Sequence, residues 1–71
     1  MREYLYILTM QSHDGRQATW SGVITPAEGA TRERVWLDLR ATIAQAQPTQ
    51  EQREAVAAAP TLFFSLEPNA L

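Results

Sequence analysis

The residues with the greatest capacity for chemistry lie in one short turn, where Ser12, His13 and Asp14 precede Gly15 and Arg16. An imidazole beside a carboxylate is a pair that acid–base catalysis uses, and a hydroxyl is a potential nucleophile. Ser12 is the immediate neighbour of His13, however, and is poorly placed for that imidazole to activate it. Since His, Asp and Gly are also common in turns, we interpret this run as a solvated turn and predict that the protein is not an enzyme.

The chain has no lysine, so every side chain with a full positive charge at pH 7 is an arginine. Three of the arginines lie on or near one predicted helix: Arg32, Arg34 and Arg40. Such a helix could contact nucleic acid, and its first backbone N–H groups could bind an anion. The formal net charge of −2 and the absence of a glycine-rich phosphate loop argue against both. A solvated charged face is therefore the favoured interpretation. A small nucleic-acid-binding regulator that uses these arginines is kept as the alternative function.

The chain offers little that could hold a metal ion or a cofactor. It has no cysteine, which excludes disulfides and thiolate sites, and a single histidine. Glu51 and Glu54 share a surface helix with Arg53, which does not suggest a carboxylate pair. Trp20 and Trp36 fall on predicted buried faces, so packing is a better explanation for them than base stacking. We predict no cofactor, no metal and no small-molecule substrate.

The length of 71 residues predicts a single domain over residues 1–71. A domain of this size buries only about 60% of its unfolded surface and usually needs disulfides, a metal or self-association. The first two are excluded, so self-association remains. No apolar run approaches the ~20 residues of a membrane helix, and residues 1–10 lack the features of a signal peptide. We therefore expect a soluble cytoplasmic protein with no membrane partner.

The stretch over residues 31–47 organises the chain, because it alone has a long helical period. Thr31 is its predicted N-cap, and Pro48 ends it. Its apolar positions recur every three or four residues, at Val35, Trp36, Leu39, Ile43 and Ala46. Thr49 and Gln52 form a capping box for a second, shorter helix over residues 50–58, which ends before Pro60.

Three segments predict strands, over residues 3–10, 17–25 and 61–67. The Asp14–Gly15 turn joins the first two as a hairpin. Gly22 indicates a bulge in the second strand, or close approach of a helix or an aromatic ring. In the third strand the alternation places Leu62, Phe64 and Leu66 on one face, with Phe63 and Ser65 on the other.

We predict an α+β fold with element order β-β-α-α-β and strand order 2-1-3, in which one long and one short helix cover one face of a three-stranded sheet. The third strand is expected beside the first because the first is the most apolar. Its direction relative to the first strand stays open. The helices could cover either face of the first strand, the one with Tyr4, Tyr6 and Leu8 or the one with Leu5 and Ile7.

Whichever face the helices cover, apolar side chains remain on the other, where either the tyrosines or Phe63 with Leu5 and Ile7 would be exposed. Leu37 also points away from the apolar stripe of its helix. Uncovered apolar surface on a small domain is typical of an interface. We predict a non-catalytic protein–protein interaction module, first of all a homodimer, whose partner is itself or another protein. The predicted interface residues are Tyr4, Tyr6, Leu37 and Phe63.

The run over residues 21–26, SGVITP, followed by GATR over residues 29–32, resembles a stretch in short actinobacterial and phage-borne proteins that have no established activity. The resemblance covers about the first half of the chain. It implies a genomic context and no mechanism, so it assigns no role to any residue.

Overall fold

The computed structural model of the protein describes residues 2–12 and 14–71. Its elements follow the predicted order β-β-α-α-β, and the α+β fold class is confirmed. They are β1 (Tyr4–Gln11), β2 (Gln17–Ile24), α1 (Arg32–Gln45), α2 (Gln50–Ala58) and β3 (Thr61–Pro68).

The three strands form one sheet in the order β2-β1-β3, and both neighbours of the central strand are antiparallel to it. The direction of β3, which the sequence left open, is fixed at both ends of the pairing. Gln11 at the end of β1 donates its N–H to the carbonyl of Pro60, 3.1 Å away, just before β3 begins. Asn69, just after β3, donates its N–H to the carbonyl of Glu3 at 2.9 Å. The two helices therefore return the chain to the end of the sheet where β1 finishes.

The helices cover the face of β1 that carries Tyr4, Tyr6, Leu8 and Met10. Leu8 is 0% exposed, the only side chain among the described residues that is both large and fully buried. It belongs to a core cluster that also contains Met10, Val35, Leu39, Ile43, Ala59 and Leu66. Tyr4 and Tyr6 are partly buried at the margin of this cluster. The opposite face, with Leu5 and Ile7, has no helical layer.

Gly22 accommodates an aromatic ring. It lies opposite Tyr6 in the β1–β2 pairing, and a Cβ atom added to it would lie 3.2 Å from Cε1 of the tyrosine. The ring thus occupies the space that a side chain would take. Of the explanations considered for this glycine, close approach of an aromatic side chain is the one observed.

The sheet has one register shift among the described residues, and it lies in β3, not at Gly22 in β2. Thr9 pairs with Phe63 and Met10 pairs with Thr61, so Leu62 is an extra residue on the edge strand. The predicted alternation is therefore wrong at Leu62, which is largely exposed. Thr61 takes the helix-facing position instead, and its hydroxyl accepts a hydrogen bond from Nε1 of Trp36 at 3.0 Å.

Both helices begin at the threonines that the sequence indicated. The side chain of Thr31 accepts a hydrogen bond from the backbone N–H of Arg34 at 3.1 Å, and Thr49 does the same for Gln52 at 3.1 Å. Each threonine satisfies a helix N–H group that has no partner within the helix.

The cap of α1 is open to a direct test. We expect Thr31→Ala to lower the free energy of unfolding by about 1 kcal/mol, because the N–H of Arg34 loses its acceptor. The matched control is Thr42→Ala in the same helix. Its hydroxyl only donates to the carbonyl of Asp38, which already lies within the helix, so we expect little change. Urea denaturation followed by circular dichroism measures both, and equal losses would contradict the capping role of Thr31.

Candidate functional site

The sheet face without helices is the most distinctive surface of the molecule, and we call it the open face. The strand register places its side chains in three rows that run across β2, β1 and β3. The rows are Val23–Leu5–Glu67, Ser21–Ile7–Ser65 and Thr19–Thr9–Phe63.

Apolar side chains cross the open face along one diagonal. Val23 on β2 is 49% exposed, Leu5 on β1 is 41% exposed and Phe63 on β3 is 53% exposed. Ile7 is half-buried between them, at the centre of the face. These four residues are called the apolar diagonal below. They provide a continuous band of hydrocarbon across all three strands, which isolated exposed residues do not.

Small and polar side chains occupy the rest of the open face. Serines flank Ile7 on both outer strands, at positions 21 and 65. The hydroxyls of Thr9 and Thr19 are hydrogen-bonded to each other at 2.9 Å, and Glu67 lies at the opposite corner. The open face is thus an apolar band with polar side chains on both sides of it, and protein interfaces commonly combine apolar and polar surface.

The total surface area also indicates an uncovered face. The accessible surface is 5234 Å². A monomeric protein of 8.0 kDa is expected to expose about 4,450 Å². The chain therefore exposes roughly 800 Å² more than a typical monomer, which is close to the area that each partner buries in a standard interface. The single helical layer leaves one face of the sheet uncovered, and the molecule is also elongated, 37 × 19 × 18 Å between Cα atoms.

The predicted interface residues do not lie together. Phe63 lies on the open face, but Tyr4 and Tyr6 lie on the helix-covered face and pack against the core. Leu37 is 41% exposed on α1, on the side of the helix opposite the buried Val35. The open face is thus the second of the two faces that the sequence allowed. Val23 was missed, although its pairing with Leu5 follows from the hairpin.

The three arginines of the alternative function differ in their surroundings. Arg34 pairs with Asp38 one turn along α1, with Nη2 at 2.8 Å from the carboxylate. Arg40 lies over the ring of Trp36, 5.0 Å from its centroid, and donates to the carbonyls of Ala57 and Ala59. Its guanidinium is therefore part of the contact between α1 and α2. Arg32 is exposed. Because one arginine is exposed, one is paired with a carboxylate and one is held between the helices, the three do not form a common cationic surface.

The hairpin turn has an organised set of hydrogen bonds. The hydroxyl of Ser12 donates to the carboxylate of Asp14, and the N–H of Arg16 donates to the same oxygen at 3.1 Å. Gly15 adopts the positive φ that this turn requires. These bonds are typical of a structural turn. His13, which we considered for acid–base chemistry, lies outside the described residues.

A groove of about 550 Å³ opens beside the start of α1. Arg2 and Arg32 line it, but so does Glu28, and the hydroxyl of Thr31 already accepts from the N–H of Arg34. Two arginines and one glutamate give the groove a net charge of only about +1, and this does not by itself mark an anion site. Within residues 2–12 and 14–71, no group of three or more His, Cys, Asp or Glu side chains could hold a metal ion.

None of the helices in the described part of the chain is both long enough and apolar enough to span a membrane. Comparison of the chain with known protein families, with curated protein sequences and with solved structures finds no match.

Proposed function

We propose that the protein is a non-catalytic protein–protein interaction module that acts in the cytoplasm and forms a homodimer through its open face. The apolar diagonal of Leu5, Ile7, Val23 and Phe63 carries the proposal, because all four side chains are partly exposed to water in the folded monomer. A second copy is the occupant that the surface area favours, since the excess exposed area of one chain is close to one partner's share of a standard interface.

Thermodynamics favours the same partner. Burial of apolar surface contributes about 25 cal/mol per Å², and a folded dimer stabilises its own subunits by mass action. A domain with a core of this size has a small margin of stability. Pairing of two identical faces adds burial without requiring any other protein, and two-fold symmetric dimers are the commonest assemblies of soluble proteins.

The nucleic-acid alternative has less support. Of its three arginines, Arg40 makes hydrogen bonds that join the two helices and Arg34 has a carboxylate partner. Salt-sensitive retention of the protein on a heparin column would favour the alternative. Recovery of the protein in the flow-through at low salt would exclude nucleic-acid binding.

We expect Phe63→Ser to raise the dissociation constant of the dimer about 30-fold. Half-exposed Phe63 gains roughly 1 kcal/mol of burial in each subunit, and the symmetric interface loses this contribution twice. Sedimentation equilibrium over a range of concentrations measures the constant. Leu37→Ser is the matched control, because Leu37 is also an exposed apolar residue but lies on the other side of the molecule.

Two results would contradict the proposal. One is a wild-type protein that stays monomeric at millimolar concentration, with a melting temperature that does not depend on concentration. The other is a dimer that Leu37→Ser weakens and Phe63→Ser does not, since that dimer would use the helical surface.

A further inference from the structure

We infer that two copies pair their open faces around a two-fold axis that passes between their Ile7 side chains and runs perpendicular to the apolar diagonal. Phe63 of each subunit then packs against Val23 of the other. This inference rests on the proposed function and specifies the geometry of that dimer. It follows from the positions that the strand register gives to three side chains of the apolar diagonal.

Ile7 lies midway between Val23 and Phe63. It pairs with Ser21 on β2 and with Ser65 on β3, so its row is the central one. Val23 is one row away towards one end of the sheet and Phe63 is one row away towards the other, each on an outer strand. With strands about 4.8 Å apart and a rise of about 3.4 Å per residue, each lies about 8 Å from Ile7.

A symmetric face-to-face dimer has its two-fold axis in the plane between the sheets. If the axis ran along the diagonal, Phe63 would face its own copy at one end, and Val23 would face its own copy at the other. The gap between the sheets would then be filled by two large side chains at one end and by two small ones at the other. Because packed sheets keep a spacing of about 10 Å, this arrangement fills the gap unevenly.

An axis perpendicular to the diagonal removes this mismatch. It brings Phe63 of one subunit opposite Val23 of its partner at both ends, so a large side chain meets a small one in each place. Ile7 meets its own copy at the centre, and the small serines beside it leave room for the facing isoleucine. Large and small side chains that alternate in this way fill the space evenly.

The polar residues fit the same arrangement. Glu67 and Thr19 occupy the two corners that are not on the diagonal. The perpendicular axis carries each of them beyond the outer strand of the partner, where a carboxylate keeps its water. The strands of the two sheets then cross at a large angle, as in the orthogonal class of sheet packing.

The absence of native cysteine allows a direct experiment. Two single variants, Val23→Cys and Phe63→Cys, are made, one of them carrying a tag that changes its mass. Facing strands about 10 Å apart are beyond the Cα separation that a disulfide spans, so a short reagent with two maleimide groups is used. At a protein concentration well above the raised dissociation constant of the Phe63→Cys dimer, we expect the mixed pair to form a cross-linked dimer at least tenfold faster than either variant alone. Ile7→Cys is expected to cross-link with itself, and Leu37→Cys provides the background rate.

The outcomes separate the geometry from the proposed function. If each of Val23→Cys and Phe63→Cys cross-links with itself faster than with the other, the axis runs along the diagonal, and this inference fails while the dimer stands. If sedimentation shows a dimer but cross-linking at all three open-face positions stays at the Leu37→Cys rate, the dimer uses another surface, such as a strand edge, and both the geometry and the open face are wrong. A protein that stays monomeric overturns the proposed function as well.

Discussion

Replacing Leu8 with alanine lowers the free energy of unfolding by about 3–4 kcal/mol, as we expect for a large side chain removed from a site that cannot collapse. Leu8 is 0% exposed on the central strand, with α1 on one side and both outer strands beside it. A domain of 71 residues has a total stability of about 4–10 kcal/mol. The variant therefore keeps about 0–7 kcal/mol, and a substantial fraction of it is unfolded at 25 °C only if the wild-type stability is at the lower end of that range. Urea denaturation followed by circular dichroism measures the loss.

Leu5→Ala is the matched control for this change. It makes the same substitution on the same strand, three residues away and on the opposite face. At concentrations below the dimer dissociation constant we expect it to cost about 1–1.5 kcal/mol, because Leu5 is 41% exposed and loses only part of the burial that Leu8 loses. At concentrations above that constant, Leu5→Ala weakens the dimer, whereas Leu8→Ala lowers the stability of the subunit itself. Equal losses from the two variants in the monomer would mean that the assignment of the two sheet faces is wrong.

The outline of the fold could be predicted because local signals agree with it. Thr31 and Thr49 mark the helix starts by their own side chains, and Asp14–Gly15 marks the hairpin. The central place of β1 followed from its apolar composition alone. Each of these features depends on residues that are close together in the chain, which is the range over which capping and turn preferences act.

The choice of buried face could not be predicted, because both faces of β1 are apolar. Leu8 and Met10 pack under the helices, while Leu5 and Ile7 do not, because the helices cross the sheet on the side of Leu8 and Met10. The direction of β3 depends on the same path. The extra residue at Leu62 places Thr61 on the helix-facing side, where it accepts a hydrogen bond from Trp36, 25 residues away in the chain. Contacts at this range have no local signature.

The candidate site was only partly predicted for the same reason. An uncovered apolar face follows from composition, since a single helical layer cannot cover both sides of a sheet. The residues on the uncovered face depend on which face the helices cover. Because the helices cover the face of Tyr4 and Tyr6, these tyrosines lie at the margin of the core and Phe63 is exposed. Val23 has serine and threonine as its neighbours on the same face of β2, so its local sequence does not indicate an apolar surface. Only the pairing with Leu5 shows it as part of an apolar surface.

The second large effect is expected at Arg40, which the sequence indicated as a surface cation. Its Nη2 donates to the carbonyl of Ala57 at 3.1 Å and to that of Ala59 at 2.8 Å, at the end of α2. Its guanidinium also lies over the ring of Trp36, with Cζ 5.0 Å from the ring centroid. A charged donor to a carbonyl contributes about 1.5–3 kcal/mol and a cation–π contact about 0.5–1 kcal/mol. Its Nε–H is buried without a hydrogen-bond partner in the described part of the chain, which offsets part of this gain.

We therefore expect Arg40→Ala to lower the free energy of unfolding by about 2–3 kcal/mol, because α2 buries no residue of its own and depends on such contacts. Arg40→Lys keeps the charge but not the planar group that stacks and donates, so we expect roughly half of the loss. Arg34→Ala, the matched control, removes an exposed pair in the same helix and should cost at most about 0.5 kcal/mol. Urea denaturation measures all three, and on a Trp20→Phe background the emission of Trp36 reports the local change. If Arg40→Ala costs no more than Arg34→Ala, the guanidinium is not needed for the fold and is available to a ligand, which would revive the nucleic-acid alternative.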